Sequence, residues 1–315
     1  MGMLIDGKWT IENQYINDGR YNSPSSLFTA IEDKETLIQS IIENASQPET
    51  RYWIIGSNSC PWSQRCLISY NLLELSDYFH IHIAHGERVE GYALDDGQVC
   101  NFNANFSAIH LHQLYTETNP NYSGRVTVPL LWDNLEQRIL CNESSEIVKF
   151  LDDFSKALKK FPKFSLFPAD RLDDIQCLNT EIHTKFSTGV YRAGFSQSQE
   201  AYEEAVQGVF EVMRILDDRL SEHEYLLGPS ICISDINLFS TLIRFDLVYH
   251  ILHRCSLKRL TDFPNLWSYA KRLYQLSSFQ KTVNFDVIKH ASYKNDTANN
   301  PYGIIPITNE DIWVS

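Results

Sequence analysis

The stretch that most constrains the fold runs from Tyr52 to Leu73. Tyr52-Trp53-Ile54-Ile55 reads as a buried strand and Gly56-Ser57-Asn58 as a turn, while the residues from Cys66 to Leu73 are apolar at helical spacing. Between strand and helix stands Ser59-Cys60-Pro61-Trp62-Ser63-Gln64-Arg65. Proline suits the first helical position, because its missing N–H would have had no partner there. Cys60 is therefore predicted at a helix N-terminus, where free N–H groups and the macrodipole favour an anion and, for a thiol, the attacking thiolate. A half-buried structural cysteine is the alternative; the strand–turn–Cys-Pro–helix pattern favours the reactive thiol. Ser63 stands where a Cys-x-x-Cys pair would have its second cysteine, and Cys66 lies about 240° further round the helix. The implied chemistry uses one thiol: Cys60 forms a mixed disulfide that an external thiol releases.

Composition narrows the remaining classes. A chain of 315 residues suits two domains or one large one. A net charge of −13 without a long basic run argues against general nucleic-acid binding. No apolar stretch approaches the ~20 residues of a membrane span. The first residues lack a secretory pattern, and Asp6 breaks the myristoylation pattern. Seven scattered cysteines fit a reducing compartment, so a cytoplasmic location is expected. No spacing resembles a metal site. The nearest candidate is His80/His82/His85, where alternation puts His80 and His82 on one strand face, expected to meet solvent rather than metal.

Along the chain, residues 1–50 are polar and turn-rich, with a helical candidate near 34–44, and read as an extension wrapping the fold. From residue 51 the expected order is strand (52–55), helix (61–75), strand (79–84), a polar loop (86–105), helix (106–118), strand (126–132), a second hairpin arm (138–141) and helix (146–154). That order is a thioredoxin-like layer ending near residue 155. Pro129 inside a strand is anomalous, since proline lacks a ladder donor. In a thioredoxin-like layer it becomes a cis-proline facing the active cysteine. Residues 156–170 read as a linker. Residues 171–290 read as all-helical, with helices at 172–188, 197–220, 235–252 and 265–276, and 291–315 as an extended tail. The expected class is an α/β thioredoxin-like domain followed by an all-α domain, an arrangement that resembles the glutathione transferase fold.

Several motifs in fixed order carry a resemblance. Cys60-Pro61-Trp62-x-x-Arg65, Gly124-Arg125-Val126-Thr127-Val128-Pro129-x-Leu131-Trp132-Asp133 and Asn142-Glu143-Ser144-Ser145-Glu146-Ile147 lie in the first half. Thr188-Gly189-Val190-Tyr191-Arg192-Ala193-Gly194-Phe195, Arg244-Phe245-Asp246-x-Val248-Tyr249 and Asn300-Pro301-x-Gly303-Ile304-Ile305-Pro306 lie in the second. Together they resemble the Xi-class glutathione transferases, the glutathionyl-hydroquinone reductases, over roughly residues 52–307.

The resemblance implies glutathione as co-substrate, glutathionyl-hydroquinones as substrates and a homodimer. It implies that Cys60 takes the glutathionyl group and a second glutathione releases it. Val128, before the expected cis-Pro129, is implied to pair through its backbone with the cysteinyl unit of glutathione. Glu143 and Ser144 are implied at the γ-glutamyl end and Arg125 beside the glycyl end. Tyr191, Tyr249 and Tyr293 match tyrosines of the family's hydroquinone pocket. A helix cap for Glu143-Ser144 and a surface role for Arg125 are the alternatives. The chain also departs from the family. It has Ser63-Gln64 for Ala-His, and Gly97-Gln98-Val99-Cys100-Asn101-Phe102 where a Gly-Trp-x-Phe loop would cover glutathione. It has His250-Ile251-Leu252-His253 for Val-Gly-His-Phe, and Cys232 for a capping threonine near Asp235.

Overall fold

The computed structural model describes residues 2–11, 16–17, 19–21, 27–45, 51–86, 88–159 and 164–314. Of the expected linker, residues 160–163 lie outside the described residues, as do parts of 1–50. The chain forms two compact units, Met1–Asn13 with Pro24–Lys163 and Gln14–Ser23 with Phe164–Ser315.

In the first unit, strands Arg138–Cys141, Leu130–Asp133, Tyr52–Gly56 and His80–Ile83 form one sheet in that spatial order. Tyr52–Gly56 and His80–Ile83 run parallel, and Leu130–Asp133 is antiparallel to both of its neighbours. Ile54, Ile55, Leu130, Leu131 and Trp132 are all buried, the unbroken apolar run expected of strands covered on both faces. Helices Pro61–Leu72 and Ser144–Leu158 pack on each other. Ser144–Leu158 buries Ile147, Val148, Leu151 and Phe154, carries Glu146 in its first turn and Lys156 in its last, and stops at left-handed Lys159.

Several expectations change in detail. The helix expected at 106–118 is shorter, His112–Thr118, because Ser107–Ala108 pairs with Cys100–Asn101. The strand expected from Val126 begins at Leu130, after a cis Val128–Pro129 peptide. The loop expected at 86–105 is tied by bridges such as Arg88–Tyr92 and Ala93–His110, and it buries Tyr92, Leu94, Cys100 and Phe102. His82 is not simply solvent-facing: it meets the Leu94 carbonyl at 2.9 Å, and Trp53 stacks on it. Burial lowers its pKa.

The first residues form a hairpin, Met3–Ile5 with Lys8–Thr10, whose first strand pairs with Gly124–Arg125. Trp9 stacks on His112 with centroids 5.2 Å apart. A Cβ on left-handed Gly91 would stand 3.0 Å from the same indole. The hairpin thus supports two segments that lead to Cys60's surroundings, the turn at Gly91 and the approach to Val128.

The second unit is helical. Gln199–Leu220, capped by Ser198, buries Ala205, Val206, Val209, Val212, Met213 and Leu216 along one stripe. It packs against Gly189–Phe195, Ile182–Ser187 and Pro264–Tyr274. Two expected helices are interrupted by π turns. Leu172–Glu181 continues as a π segment at Ile182–Ser187, and Ile233–Leu242 is followed by another at Phe245–Tyr249. In these turns Thr188 N–H donates to the His183 carbonyl at 3.0 Å and His250 N–H to that of Phe245 at 2.8 Å. The tail expected to be extended from residue 291 is still helical there, because Phe285–Asn295 runs through it. Gly19 and Arg20 bond to this unit: Gln197 N–H donates to the Gly19 carbonyl at 2.8 Å and Arg20 to Glu204 at 2.6 Å.

Candidate active site

Cys60 caps helix Pro61–Leu72 with extended backbone, and its carbonyl accepts the Gln64 N–H at 3.0 Å. Its side chain is 7% exposed and its thiol donates to the Val128 carbonyl at 3.6 Å. The structure thus brings Cys60, Val128 and cis-Pro129 together.

The next arm is set by Tyr115, a residue that the sequence did not single out. The Tyr115 hydroxyl donates to the Thr127 carbonyl at 2.9 Å and accepts the Thr127 N–H at 3.1 Å and the Asn142 amide at 3.0 Å. One buried phenol therefore ties the segment before Val128 to the segment before Glu143. Glu143 is the N-cap of Ser144–Leu158, and its carboxylate accepts the Ser145 N–H at 3.2 Å and hydroxyl at 3.0 Å. A capping role for Glu143 is therefore realised. Beneath this turn the Cys66 thiol donates to the Ser144 carbonyl and the Cys141 thiol to that of Glu143, both at 3.7 Å. Burial pushes Cys141 up to about 12 and raises Cys66 well above its usual value, so both stay as thiols. Arg125 lies in the strand paired with Met3, and the Tyr122 hydroxyl donates to its carbonyl at 2.8 Å.

Tyr92 was also missed. It is 6% exposed and shares the buried core that contains Cys60 and Val128. The Arg88 guanidinium stands 4.2 Å from its ring centre and donates to its hydroxyl at 2.5 Å. Burial pushes its phenol up to about 12; the charge of Cys60 acts in the same direction, and Arg88, Arg125 and a hydrogen bond with Ser59 oppose it. The aromatic residue beside the thiol thus follows Gly91, whereas Gly97 sits in an open turn. The sequence carries the signal as the Gly91-Tyr92 pair, a glycine followed by a tyrosine rather than by a tryptophan.

In the helical unit, the Tyr191 and Tyr249 hydroxyls are 3.0 Å apart. Tyr293, on Phe285–Asn295, donates to the Leu247 carbonyl at 2.9 Å, and burial raises its pKa. It lines a cavity of about 330 Å³ together with Ile251, Leu252, Arg254, Ile304 and Pro306. His253 is buried against Tyr191 and Tyr249, and burial lowers its pKa to about 4. Asp296 opposes that shift and Arg254 adds to it. A histidine with a lowered folded pKa contributes its full stability above its unfolded value near 6.5 and loses it as pH falls toward 4. The urea midpoint is expected to fall across that window, and less steeply in His253→Phe. Among the described residues no group of three metal-ligating side chains is present, and no helix is long and apolar enough to cross a membrane.

Comparison with known proteins agrees with this architecture. The N-terminal domain model of glutathione S-transferase matches residues 59–153, and the C-terminal domain model matches 199–272. Glutathionyl-hydroquinone reductase PcpF of Sphingobium chlorophenolicum is 34% identical over 98% of this chain and 96% of its own. Glutathionyl-hydroquinone reductase YqjG of Escherichia coli is 35% identical over 98% and 95%. The glutathione-bound YqjG structure superposes with a TM-score of 0.81 at 34% identity, covering 99% of this chain and 97% of that one. The Xi glutathione transferase of Phanerochaete chrysosporium gives 0.84 at 31%, covering 94% of each chain. The chain belongs to the glutathione transferases, in their Xi class.

Proposed function

We propose that this protein is a glutathionyl-hydroquinone reductase with Cys60 as its nucleophile. The observation that carries the reading is the Cys60 thiol at a helix N-terminus against the Val128 carbonyl, with no cysteine at position 63. The full-length likeness to PcpF and YqjG supports the substrate class.

The Cys60 thiolate attacks the sulfur of the glutathionyl thioether. A sulfur–sulfur bond forms, the carbon–sulfur bond breaks, and its electron pair goes to the ring carbon, which takes a proton and leaves as the hydroquinone. A second glutathione thiolate then attacks the mixed disulfide, giving oxidised glutathione and free Cys60. Overall one glutathione thiol and the thioether sulfur of the conjugate are joined as a disulfide, each losing one electron, while the carbon–sulfur bond is reduced to carbon–hydrogen. In this reading the Val128 backbone and Pro129 hold the cysteinyl unit, Glu143 and Ser144 the γ-glutamyl end, and Arg125 the glycyl carboxylate. Tyr191, Tyr249 and Tyr293 meet the quinol, and a phenol among them supplies the proton. Tyr92 forms an aromatic wall over the glutathionyl group. Tyr92→Ala is expected to raise the glutathione KM roughly tenfold, while Tyr92→Phe, keeping the ring, moves it much less; steady-state kinetics at varied glutathione checks both.

The test of function compares glutathionyl-menadiol with a small glutathione mixed disulfide under excess glutathione. Menadiol release at a rate comparable to disulfide turnover supports the reductase. Disulfide turnover alone would leave a general thiol transferase. Seven unpaired cysteines support the cytoplasmic location, and the class likeness supports a homodimer. Elution as a monomer at micromolar concentration would remove the latter.

A further inference from the structure

We infer that Trp9, on the N-terminal hairpin, is a positioning residue for Tyr92. The inference rests on the reading above, in which the Tyr92 ring forms a wall over the glutathionyl group.

The hairpin is built into the first unit. Leu4, paired with Trp9 across the hairpin, is fully buried in the core cluster that contains Cys60, Tyr92 and Val128, and Trp9 packs against that cluster. The turn at Asp6-Gly7 has two left-handed residues, the conformation a two-residue hairpin needs. It docks through the Asp6 N–H on the Ser123 hydroxyl at 2.8 Å and the Gly7 N–H on the Tyr122 carbonyl at 3.0 Å. With Met3 also paired to Arg125 and Leu4 to Gly124, the indole projects from a base that is itself fixed.

From that base the indole reaches the turn that carries Tyr92. It stacks on His112, with ring planes 22° apart, and its rim meets Gly91, where a Cβ would stand 3.0 Å from the indole Cη2. Arg88 and Tyr92 are bridged across this turn, and most of its residues have a hold of their own. The Arg88 guanidinium lies over the Tyr92 ring, the Leu111 N–H donates to the Tyr92 carbonyl at 2.9 Å, and the His112 ring is 3.3 Å from the Glu90 carboxylate. Gly91, at φ +72°, has no side chain to pack, so the indole takes the place of one and fixes the most permissive backbone in the turn. Tyr92 follows directly, so a shift at Gly91 is carried to its ring.

The contact is made by ring surface, because the buried Trp9 Nε1 has no hydrogen-bond partner among the described residues. The thiol is placed independently, by its helix cap and the Val128 carbonyl. Loss of the indole should therefore weaken glutathione binding and spare the sulfur chemistry.

Titration calorimetry of glutathione on the Cys60→Ser protein, in a double-mutant cycle of Trp9→Ala with Tyr92→Ala, tests this without turnover. Trp9→Ala is expected to raise the glutathione Kd roughly three- to tenfold when Tyr92 is present and by less than about twofold beside Tyr92→Ala. Trp9→Phe, which keeps a ring against Gly91 and His112, should stay within about twofold. In proteins that retain Cys60, the glutathione KM should rise while kcat stays within about twofold. A lowered melting midpoint with an unchanged Kd would mark a merely structural role and overturn the inference, and so would an equal loss with and without Tyr92. A Kd that Tyr92→Ala itself leaves unchanged would remove the aromatic wall and the inference with it. Should Trp9→Ala fail to fold, Trp9→Leu, which keeps apolar bulk and loses the ring, takes its place in the cycle with the same expected results.

Discussion

Cys60→Ser is expected to lower glutathionyl-menadiol turnover by at least about 10³-fold. The serine occupies the same helix cap, and its hydroxyl can still donate to the Val128 carbonyl that the thiol reaches at 3.6 Å. Its oxygen cannot form the sulfur–sulfur bond on which both half-reactions depend. No other thiol in the same unit is placed to substitute. Cys66 and Cys141 are fully buried and held protonated, and burial also raises Cys100. Far-UV circular dichroism and the unfolding midpoint should match the wild type, which separates lost chemistry from lost fold. Retained turnover would move the nucleophile elsewhere.

Asp235→Ala is expected to cost about 4 kcal/mol, lowering the thermal midpoint by roughly 10 °C. The buried carboxylate accepts the Leu226 and Cys232 N–H groups, both at 2.9 Å, the Tyr269 hydroxyl at 2.8 Å and the Cys232 thiol at 3.3 Å. It thereby joins the loop before helix Ile233–Leu242 to that helix and to Pro264–Tyr274. Alanine leaves these donors buried and unpaired, the costly side of hydrogen-bond energetics. The same geometry explains how Cys232 serves as a cap. The Asp235 N–H goes to the Cys232 carbonyl at 3.1 Å, and the Asp235 carboxylate accepts the Cys232 N–H in return at 2.9 Å. Asp235→Asn, which retains one acceptor oxygen, should lie between the two in thermal melts.

What was legible in the sequence was legible for local physical reasons. The Cys60-Pro61 junction, the proline at 129 and the cap before Ile147 each depend on a few adjacent residues whose backbone demands are narrow. The 86–105 excursion was not legible because its buried residues, Tyr92, Leu94, Cys100 and Phe102, sit between single bridges and turns, so neither helical nor strand periodicity builds up. The π turns at Ile182–Ser187 and Phe245–Tyr249 add a residue to a helical turn without changing composition, so the pattern reads straight through them. The helix Phe285–Asn295 carries Asp286, Lys289, His290 and Lys294 among few apolar residues, and the polar sequence after it suggested an extended tail. Tyr115 and His253 make contacts with residues 12 and 63 positions away, which no local pattern records.

The central claim is that Cys60 itself takes the glutathionyl group. One equivalent of glutathionyl-menadiol should be mixed with the reduced protein in the absence of free glutathione, with released menadiol quantified and the protein analysed by peptide mass spectrometry. The account predicts one menadiol released per active thiol and a glutathionyl group on the peptide carrying Cys60, removed on adding glutathione. Menadiol release only after glutathione is added, with Cys60 unmodified beforehand, would contradict it.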